Sequence, residues 1–175
     1  MDFFDAVKER YSFRGNFRSD PVSRENLRKI LEAGLAAPSG CNAQTTYLVG
    51  VDKPELIKKM AAILNKPWAA TAPAAVCVIT HARPAYADKY FNIQDYSAAI
   101  ENIHLAISAL GYATCWIEGE VVEDKARQKA FSDLLGVPYE YEFVAFLPFG
   151  VPVSPGQRAA HLPFEERAFF NGFGG

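Results

Sequence analysis

Short apolar runs alternate with helix-like stretches along the chain, and this alternation restricts the possible folds more than any other feature. Four runs, at 45–51, 74–80, 112–117 and 142–149, predict β-strands. The stretches between them carry apolar side chains three and four positions apart, which predicts helices. A sheet covered by helices buries both patterns, so we expect a three-layer domain of the α/β or α+β class.

Capping and helix-stopping residues set the predicted helix bounds. Asp2 and Ser23 are suitable N-caps, and Pro54 fits the first turn of a helix. Gly111 and Gly136 follow helical patterns and are expected to end them. The predicted helices therefore span 2–11, 23–38, 54–64, 93–110 and 124–135.

Composition limits the class of protein. The chain has 175 residues, 50% of them hydrophobic, which suits a single domain over 1–175 with one large core. The net charge of −2 argues against general nucleic-acid binding. No apolar run approaches the roughly 20 residues of a membrane helix, and the acidic N-terminus does not resemble a signal peptide. We therefore expect no nucleic-acid or membrane partner.

Cysteine and histidine usage bears on compartment and metals. An odd number of cysteines without Cys-x-x-Cys spacing favours a reducing compartment, here the cytoplasm, over a disulfide framework. The three histidines are scattered, so we expect no metal site. The cysteines are Cys41, Cys77 and Cys115.

The turn at 36–44, read Ala-Ala-Pro-Ser-Gly-Cys-Asn-Ala-Gln, separates a predicted helix from a predicted strand. Pro38 fixes φ and Gly40 permits unusual backbone angles, so peptide groups of this turn can point at a ligand. An ordinary solvated connection would contain the same residue types, and the turn alone favours that simpler interpretation. Its hydrogen-bonding side chains are Ser39, Asn42 and Gln44.

Two arginines and a serine alternate just after the first predicted helix. If residues 10–14 are extended, Arg10, Ser12 and Arg14 lie on the same side of the backbone. Guanidinium groups bind phosphate oxygens well, and a hydroxyl adds a neutral donor. The alternative is a solvated basic stretch at a helix C-terminus, where cations are favoured in any case.

Six short motifs follow one another along almost the whole chain. They are Arg-x-Ser-x-Arg at 10–14, Pro-Val-Ser-x-Glu-x-Leu at 21–27, Ala-Pro-Ser-x-x-Asn-x-Gln at 37–44, Ala-Ala-Ile-x-Asn-Ile-x-Leu-Ala at 98–106, Leu-Gly-Tyr-Ala-Thr-Cys-Trp-Ile-Glu-Gly at 110–119 and Phe-Gly-Val-Pro at 149–152. Each is weak alone, but together and in this order they resemble the nitroreductase family of FMN-dependent oxidoreductases.

The resemblance implies an α+β fold, a three-layer α/β/α sandwich whose central sheet is mixed and mainly antiparallel. It also implies a domain-swapped homodimer with two FMN molecules at the interface. Residues 152–175 would form an extended arm toward the partner subunit. This arm is rich in phenylalanine, and such side chains are rarely left in water.

The resemblance also assigns roles to single residues. Arg10 and Ser12 would bind the FMN phosphate, with Tyr11 between them in the cofactor-binding set. Arg14 would be the cation beside flavin N1 and O2. The turn would reach the partner's flavin through Pro38, Ser39, Gly40 and Asn42, with Asn42 at the pyrimidine edge.

A second group of implied site residues lies in the middle of the chain and near its end. The backbone around Glu118 and Gly119 would face flavin N5 and O4, so these two residues and Arg14 form the implied catalytic set. Either Arg158 or His161 would bind the phosphate from the C-terminal region. Further implied cofactor contacts are Asn65, Asp95, Trp116 and Ile117.

The resemblance implies a ping-pong oxidoreductase. NADH or NADPH would reduce the flavin and leave, and a nitroaromatic, quinone or other small acceptor would then take the electrons. Two alternatives stay open: a flavin-fragmenting enzyme or dedicated dehydrogenase on the same fold, and a non-enzymatic flavin-binding protein. Larger members insert helices where this chain has only 81–92, so the flavin is either more open or covered by Tyr86, Tyr90 and Phe91.

Overall fold

A computed structural model describes residues 1–174 as one α+β domain. Its helices and strands are α1 (Phe3–Glu9), α2 (Arg24–Leu35), β1 (Thr46–Val51), α3 (Pro54–Ile63), β2 (Ala74–Thr80), α4 (Asn92–Ala109), β3 (Ala113–Thr114), α5 (Gly119–Val122), α6 (Lys125–Leu135) and β4 (Glu142–Gly150). Short 3₁₀ helices occur at Gly40–Asn42, Pro67–Thr71 and Phe164–Glu166.

The predicted helix caps are confirmed. Asp2 accepts a hydrogen bond from the Asp5 amide at 2.9 Å, and Ser23 accepts one from the Asn26 amide at 3.1 Å. Each bond satisfies an amide that has no partner inside its helix. Gly136 ends α6 with a φ of 67°, a left-handed conformation that costs glycine little. The structure shortens the predicted helices by one to three residues at some ends, where the backbone leaves the helical ladder.

The four strands form one sheet in the order β1-β2-β4-β3, and all its strand pairs are antiparallel. A parallel bridge joins Ser12 to Thr114 at the β3 edge. The predicted strand 112–117 is shorter than expected, because only Ala113 and Thr114 pair with β4. Beyond it, Ile117 makes an isolated bridge to Phe146 before the chain turns into α5.

Helices cover both faces of the sheet, which confirms the three-layer α+β prediction. Alternate residues of β2 face opposite layers, as expected from the twofold period of a strand. Cys77 packs in the layer that contains Met60 of α3 and Phe131 of α6. Val78 packs in the layer that contains Leu27 of α2 and Ile103 of α4.

The C-terminal segment begins packed against the N-terminal part of the same chain. Val153 donates its amide to the Asn16 carbonyl at 2.9 Å, and Pro152 forms a bridge with Phe17. Further along, Phe164, Phe170 and Phe173 are 58%, 78% and 98% exposed. Among the described residues, no helix is long and apolar enough to cross a membrane.

Candidate functional site

Residues 10–14 are extended and lie along β3. The Phe13 amide donates to the Thr114 carbonyl at 2.8 Å, next to the bridge between Ser12 and Thr114. Phe13 is buried and packs edge-on against Phe17, with ring centroids 5.0 Å apart. Ser12 and Arg14 are exposed on either side of the buried Phe13, so the predicted alternation is confirmed for these residues, while Arg10 is half-buried.

Arg10 is only loosely held. Its Nε lies 3.6 Å from Glu101 Oε1 on α4, and Glu101 is itself exposed. An ion pair between such groups contributes little to stability, and the guanidinium keeps donors available for another anion.

Arg14 lines a cavity of about 220 Å³ together with the segment that follows β3. Lys66 adds a second cation to this cavity, and its Nζ lies 2.7 Å from Glu120 Oε1. Four residues of the predicted cofactor set line the cavity beside Arg14: Trp116, Ile117, Glu118 and Gly119. The structure therefore brings Arg14 and the 116–119 segment to one cavity, and their roles toward a cofactor stay a prediction.

Glu118 is tied to the start of α4. The Tyr96 hydroxyl donates to Glu118 Oε1 at 2.8 Å. Burial, followed by the Glu118 carboxylate, raises the pKa of the Tyr96 phenol well above its ordinary range. The phenol therefore stays protonated near neutral pH and acts as the donor of this bond.

A buried histidine lies beneath Arg10. His104 on α4 has its ring centroid 6.3 Å from that of Trp116. Within residues 1–174, neither ring nitrogen of His104 has a hydrogen-bond partner, and the same is true of Trp116 Nε1. Burial, and to a lesser extent the charge of Arg10, lowers the pKa of His104 from 6.5 to about 4. The imidazole is therefore neutral at physiological pH.

The polar turn at 36–44 is held in an unusual backbone conformation. Cys41, Asn42 and Gln44 have φ values of 50°, 53° and 49°, a region that non-glycine residues seldom occupy. Ser39 Oγ accepts the Gln44 amide at 3.0 Å. Asp95 Oδ1 accepts the Gly40 amide at 2.8 Å, so α4 fixes the turn from below.

Gly40 also allows a close approach by the connection between β2 and α4. A Cβ atom at this position would lie 2.5 Å from Phe91 Cδ2, so a larger residue would force the ring away. The turn borders a cavity of about 590 Å³. The predicted cofactor residues that line it are Pro38, Ser39, Asn42 and Asp95.

The two cavities share no lining residue. Within one chain, nine residues of the predicted cofactor set are thus divided into two groups, the Arg14 cavity and the turn cavity, whereas Arg10 and Tyr11 line a separate cavity. Asn65 lines neither of them, although it directly precedes Lys66. Sequence reasoning missed Lys66 and Tyr96, each of which is the immediate neighbour of a predicted residue.

One of the two candidate phosphate-binding residues of the C-terminal region lies against the N-terminal segment. Arg158 Nη1 donates to the Lys8 carbonyl at 3.2 Å, and the guanidinium also pairs with Glu9. Its Cζ lies 5.7 Å from the ring centroid of Tyr11. His161 is exposed on the tail. The structure therefore places Arg158 beside residues 10–14, here called the Arg10 segment.

Comparison with known proteins gives a consistent result. The nitroreductase family profile matches residues 7–70 and 59–151. A protein of Archaeoglobus fulgidus, provisionally named NADH dehydrogenase/NAD(P)H nitroreductase, is 33% identical over 132 residues, 75% of each chain. An NADPH-dependent oxidoreductase of Staphylococcus haemolyticus is 28% identical over 93% of this chain and 70% of its own.

A solved structure shows the same fold. The FMN-dependent nitroreductase of Clostridium difficile R20291 is 26% identical and superposes with a TM-score of 0.79. The superposition covers 97% of this chain and 99% of that chain, so the two share the complete fold rather than one motif. With the family profile spanning most of its length, this chain belongs to the nitroreductase family.

Proposed function

We propose that this protein is an FMN-dependent oxidoreductase that takes electrons from NADH or NADPH and passes them to a nitroaromatic, a quinone or a related small acceptor. The observation that carries the proposal is the Arg14 cavity. Two cations, Arg14 and Lys66, line it together with the backbone of 116–119. The names of the related proteins support the same activity.

The donor groups of the chain fit FMN. Its phosphate requires cations and neutral donors, which the exposed Ser12 and the loosely paired Arg10 can supply. Arg158, which lies against Tyr11, is the second candidate cation, in preference to His161. FMN, when bound, supplies the hydride-accepting ring that the protein's own side chains lack.

The residues of the Arg14 cavity would bind and orient that ring. Arg14 would hold the negative charge of the reduced ring, which a fixed guanidinium stabilises. Backbone amides of Glu118 and Gly119 would donate to its polar edge. On this assignment Arg14, Glu118 and Gly119 are the catalytic set, and no protein nucleophile is needed. Asn42 would meet the pyrimidine edge from the turn.

The division into two cavities supports a homodimer in which the turn of one subunit completes the site of the other. Residues 152–175 are proposed to extend as an arm to the partner, because three exposed phenylalanines lie on this segment. β1 is an edge strand of the sheet and offers its outer side to another chain. The proposed assembly is a domain-swapped dimer.

The absorption spectrum of the purified protein tests the proposed activity. We expect flavin bands that disappear with anaerobic NADH or NADPH and return when a quinone or nitroaromatic is added. A yellow protein that neither nicotinamide bleaches would contradict the proposal and favour a flavin-binding protein. Turnover with oxygen and no acceptor, with breakdown of the flavin itself, would instead favour a flavin-fragmenting enzyme.

Truncation after Pro163 tests the arm. Each buried phenylalanine contributes on the order of 1.5–3 kcal/mol, so losing the aromatic arm should weaken the dimer. Because the site is shared, flavin should be released at the same time. Light scattering and flavin fluorescence on the truncated chain measure both effects. A truncated protein that remains dimeric and keeps its FMN would show that the arm packs elsewhere.

A further inference from the structure

The first turn of α4 contacts both groups of site residues. Asp95 and Tyr96 are neighbours in this turn, and both side chains are buried, at 4% and 5% exposure. Asp95 bonds to the polar turn at 36–44, whereas Tyr96 bonds to Glu118 beside the Arg14 cavity. One rigid helical turn thus holds the two segments that would each approach a flavin.

Asp95 holds the second half of the polar turn from both sides. Its Oδ1 accepts the Gly40 amide at 2.8 Å, and its Oδ2 accepts the Thr45 hydroxyl at 2.6 Å. Between these two anchors lie three non-glycine residues with positive φ. Such conformations cost free energy and persist where surrounding contacts enforce them. Bonds to a carboxylate are stronger than neutral ones, so Asp95 is suited to enforce this conformation.

Tyr96 holds the other segment through a single side-chain bond. Glu118 has a φ of −127° and a ψ of −58°, outside both helix and strand, and the chain turns there into α5. The bond from the Tyr96 hydroxyl, at 2.8 Å, restrains the Glu118 side chain at this bend. A shift of α4 would therefore reach this segment through the Glu118 side chain, while the pairing of Ile117 with Phe146 holds the backbone before it.

We infer that Asp95 and Tyr96 are positioning residues that couple the polar turn to the Glu118 segment. Breaking the hydrogen bonds of either residue shifts the first turn of α4 and so disturbs the segment that the other residue holds. This inference rests on the proposed function for its consequence: in the dimer, the turn belongs to one flavin site and Glu118 to the other. The pair would then link the geometry of the two sites.

Hydrogen exchange on the flavin-free protein tests the coupling directly. Asp95→Asn keeps the size of the side chain but removes its charge, and Tyr96→Phe removes a single hydroxyl. Each variant should speed amide exchange at its own segment by about ten- to hundredfold, the effect of losing a bond to a charged group. Each should also speed exchange at the opposite segment by at least about twofold. The segments are 40–45 and 117–121.

Tyr112→Phe is the matched control. The Tyr112 hydroxyl accepts a bond from Asn26 Nδ2 at 3.0 Å, so this variant also loses one partly buried bond. It should leave exchange at 40–45 and 117–121 unchanged. If Asp95→Asn and Tyr96→Phe each affect only their own segment, Asp95 and Tyr96 are independent local anchors and the inference is wrong.

The flavin-loaded protein gives a second readout. Tyr96→Phe should slow flavin reduction by NADH or NADPH about three- to tenfold while leaving FMN affinity unchanged, because Tyr96 bonds the Glu118 end of the site. In the double variant Asp95→Asn/Tyr96→Phe, the effects of the two single changes on the rate of flavin reduction should not multiply, as expected of coupled residues. Effects that multiply independently would overturn the coupling. Failure of the proposed function would show differently, as a wild-type protein that binds no flavin or is not reduced.

Discussion

The polar turn and residues 10–14, the Arg10 segment, each lie over a buried titratable side chain of α4, and these two side chains differ in their hydrogen bonding. Under the polar turn, Asp95 accepts hydrogen bonds on both carboxylate oxygens. Under the Arg10 segment, His104 has no hydrogen-bond partner within residues 1–174, and its pKa is lowered. The turn is therefore fixed by hydrogen bonds to the buried Asp95 carboxylate, whereas no such bond to His104 fixes the Arg10 segment within residues 1–174.

Packing and backbone pairing fix the Arg10 segment. Phe13 is buried against Phe17, and the Phe13 amide is bonded to Thr114. This arrangement leaves the cationic side chains free of strong partners, as a site for an anion requires. One half of the site therefore holds a strained backbone, while the other keeps weakly paired charge on its side chains.

The largest expected effect comes from removing the packing under the Arg10 segment. Phe13 is 4% exposed, and Phe→Ala changes at such positions cost about 3–5 kcal/mol in the free energy of unfolding. Phe13→Ala should therefore destabilise the protein and weaken FMN binding, as measured by urea denaturation and flavin titration.

Tyr139→Ala is the control for this change. Tyr139 is 99% exposed, so its removal should alter the unfolding free energy by less than about 0.5 kcal/mol. A Phe13→Ala protein as stable as wild type would mean that the backbone bond to Thr114 alone positions the segment.

The second prediction concerns acid stability. Burial and the Arg10 charge lower the pKa of His104 from 6.5 to about 4, so below pH 6.5 the unfolded chain binds a proton that the folded protein does not. Stability from this group is complete above pH 6.5 and falls as the pH drops toward 4, by roughly 3 kcal/mol in total. Urea denaturation at several pH values measures the slope.

His104→Gln isolates this contribution, because glutamine does not titrate. The variant should lose less stability than wild type between about pH 7 and pH 4.5. Equal acid sensitivity in both proteins would show that His104 does not stay neutral in the folded state.

The third prediction tests the weakly paired charge of Arg10. Arg10→Ala removes a bond to the FMN phosphate worth about 1.5–3 kcal/mol, so the flavin dissociation constant should rise about ten- to hundredfold. Arg28→Ala is the control, since Arg28 is an exposed arginine paired with Glu32 on α2. A titration of flavin-free protein that gives wild-type affinity for Arg10→Ala would contradict the phosphate assignment.

How much could be predicted from the sequence differs between the Arg10 segment and the polar turn. The period-two alternation predicted at 10–14 needs only local geometry, and the structure confirms it over residues 12–14. The partners of the polar turn could not be predicted, because Asp95 lies 55 positions from Gly40 and reaches it only through the packing of α4. Lys66 was missed for the same reason, since its place beside Arg14 depends on tertiary contacts rather than on its neighbours in sequence. The core layers, in contrast, followed from apolar periodicity.

The smallest expected effect is on the reduction potential. Arg14 lines the cavity beside Glu118 and is exposed, so its attraction to a negative reduced flavin is partly screened, at about 1–2 kcal/mol. For a two-electron couple, 30 mV corresponds to about 1.4 kcal/mol, so Arg14→Gln should lower the midpoint potential by about 20–45 mV. Arg18→Gln, an exposed arginine of the same region paired with Asp20 at 2.7 Å, should leave it unchanged. Potentiometric titration of both variants decides the matter. An equal or higher potential for Arg14→Gln would mean that another group, such as Lys66, balances the flavin charge.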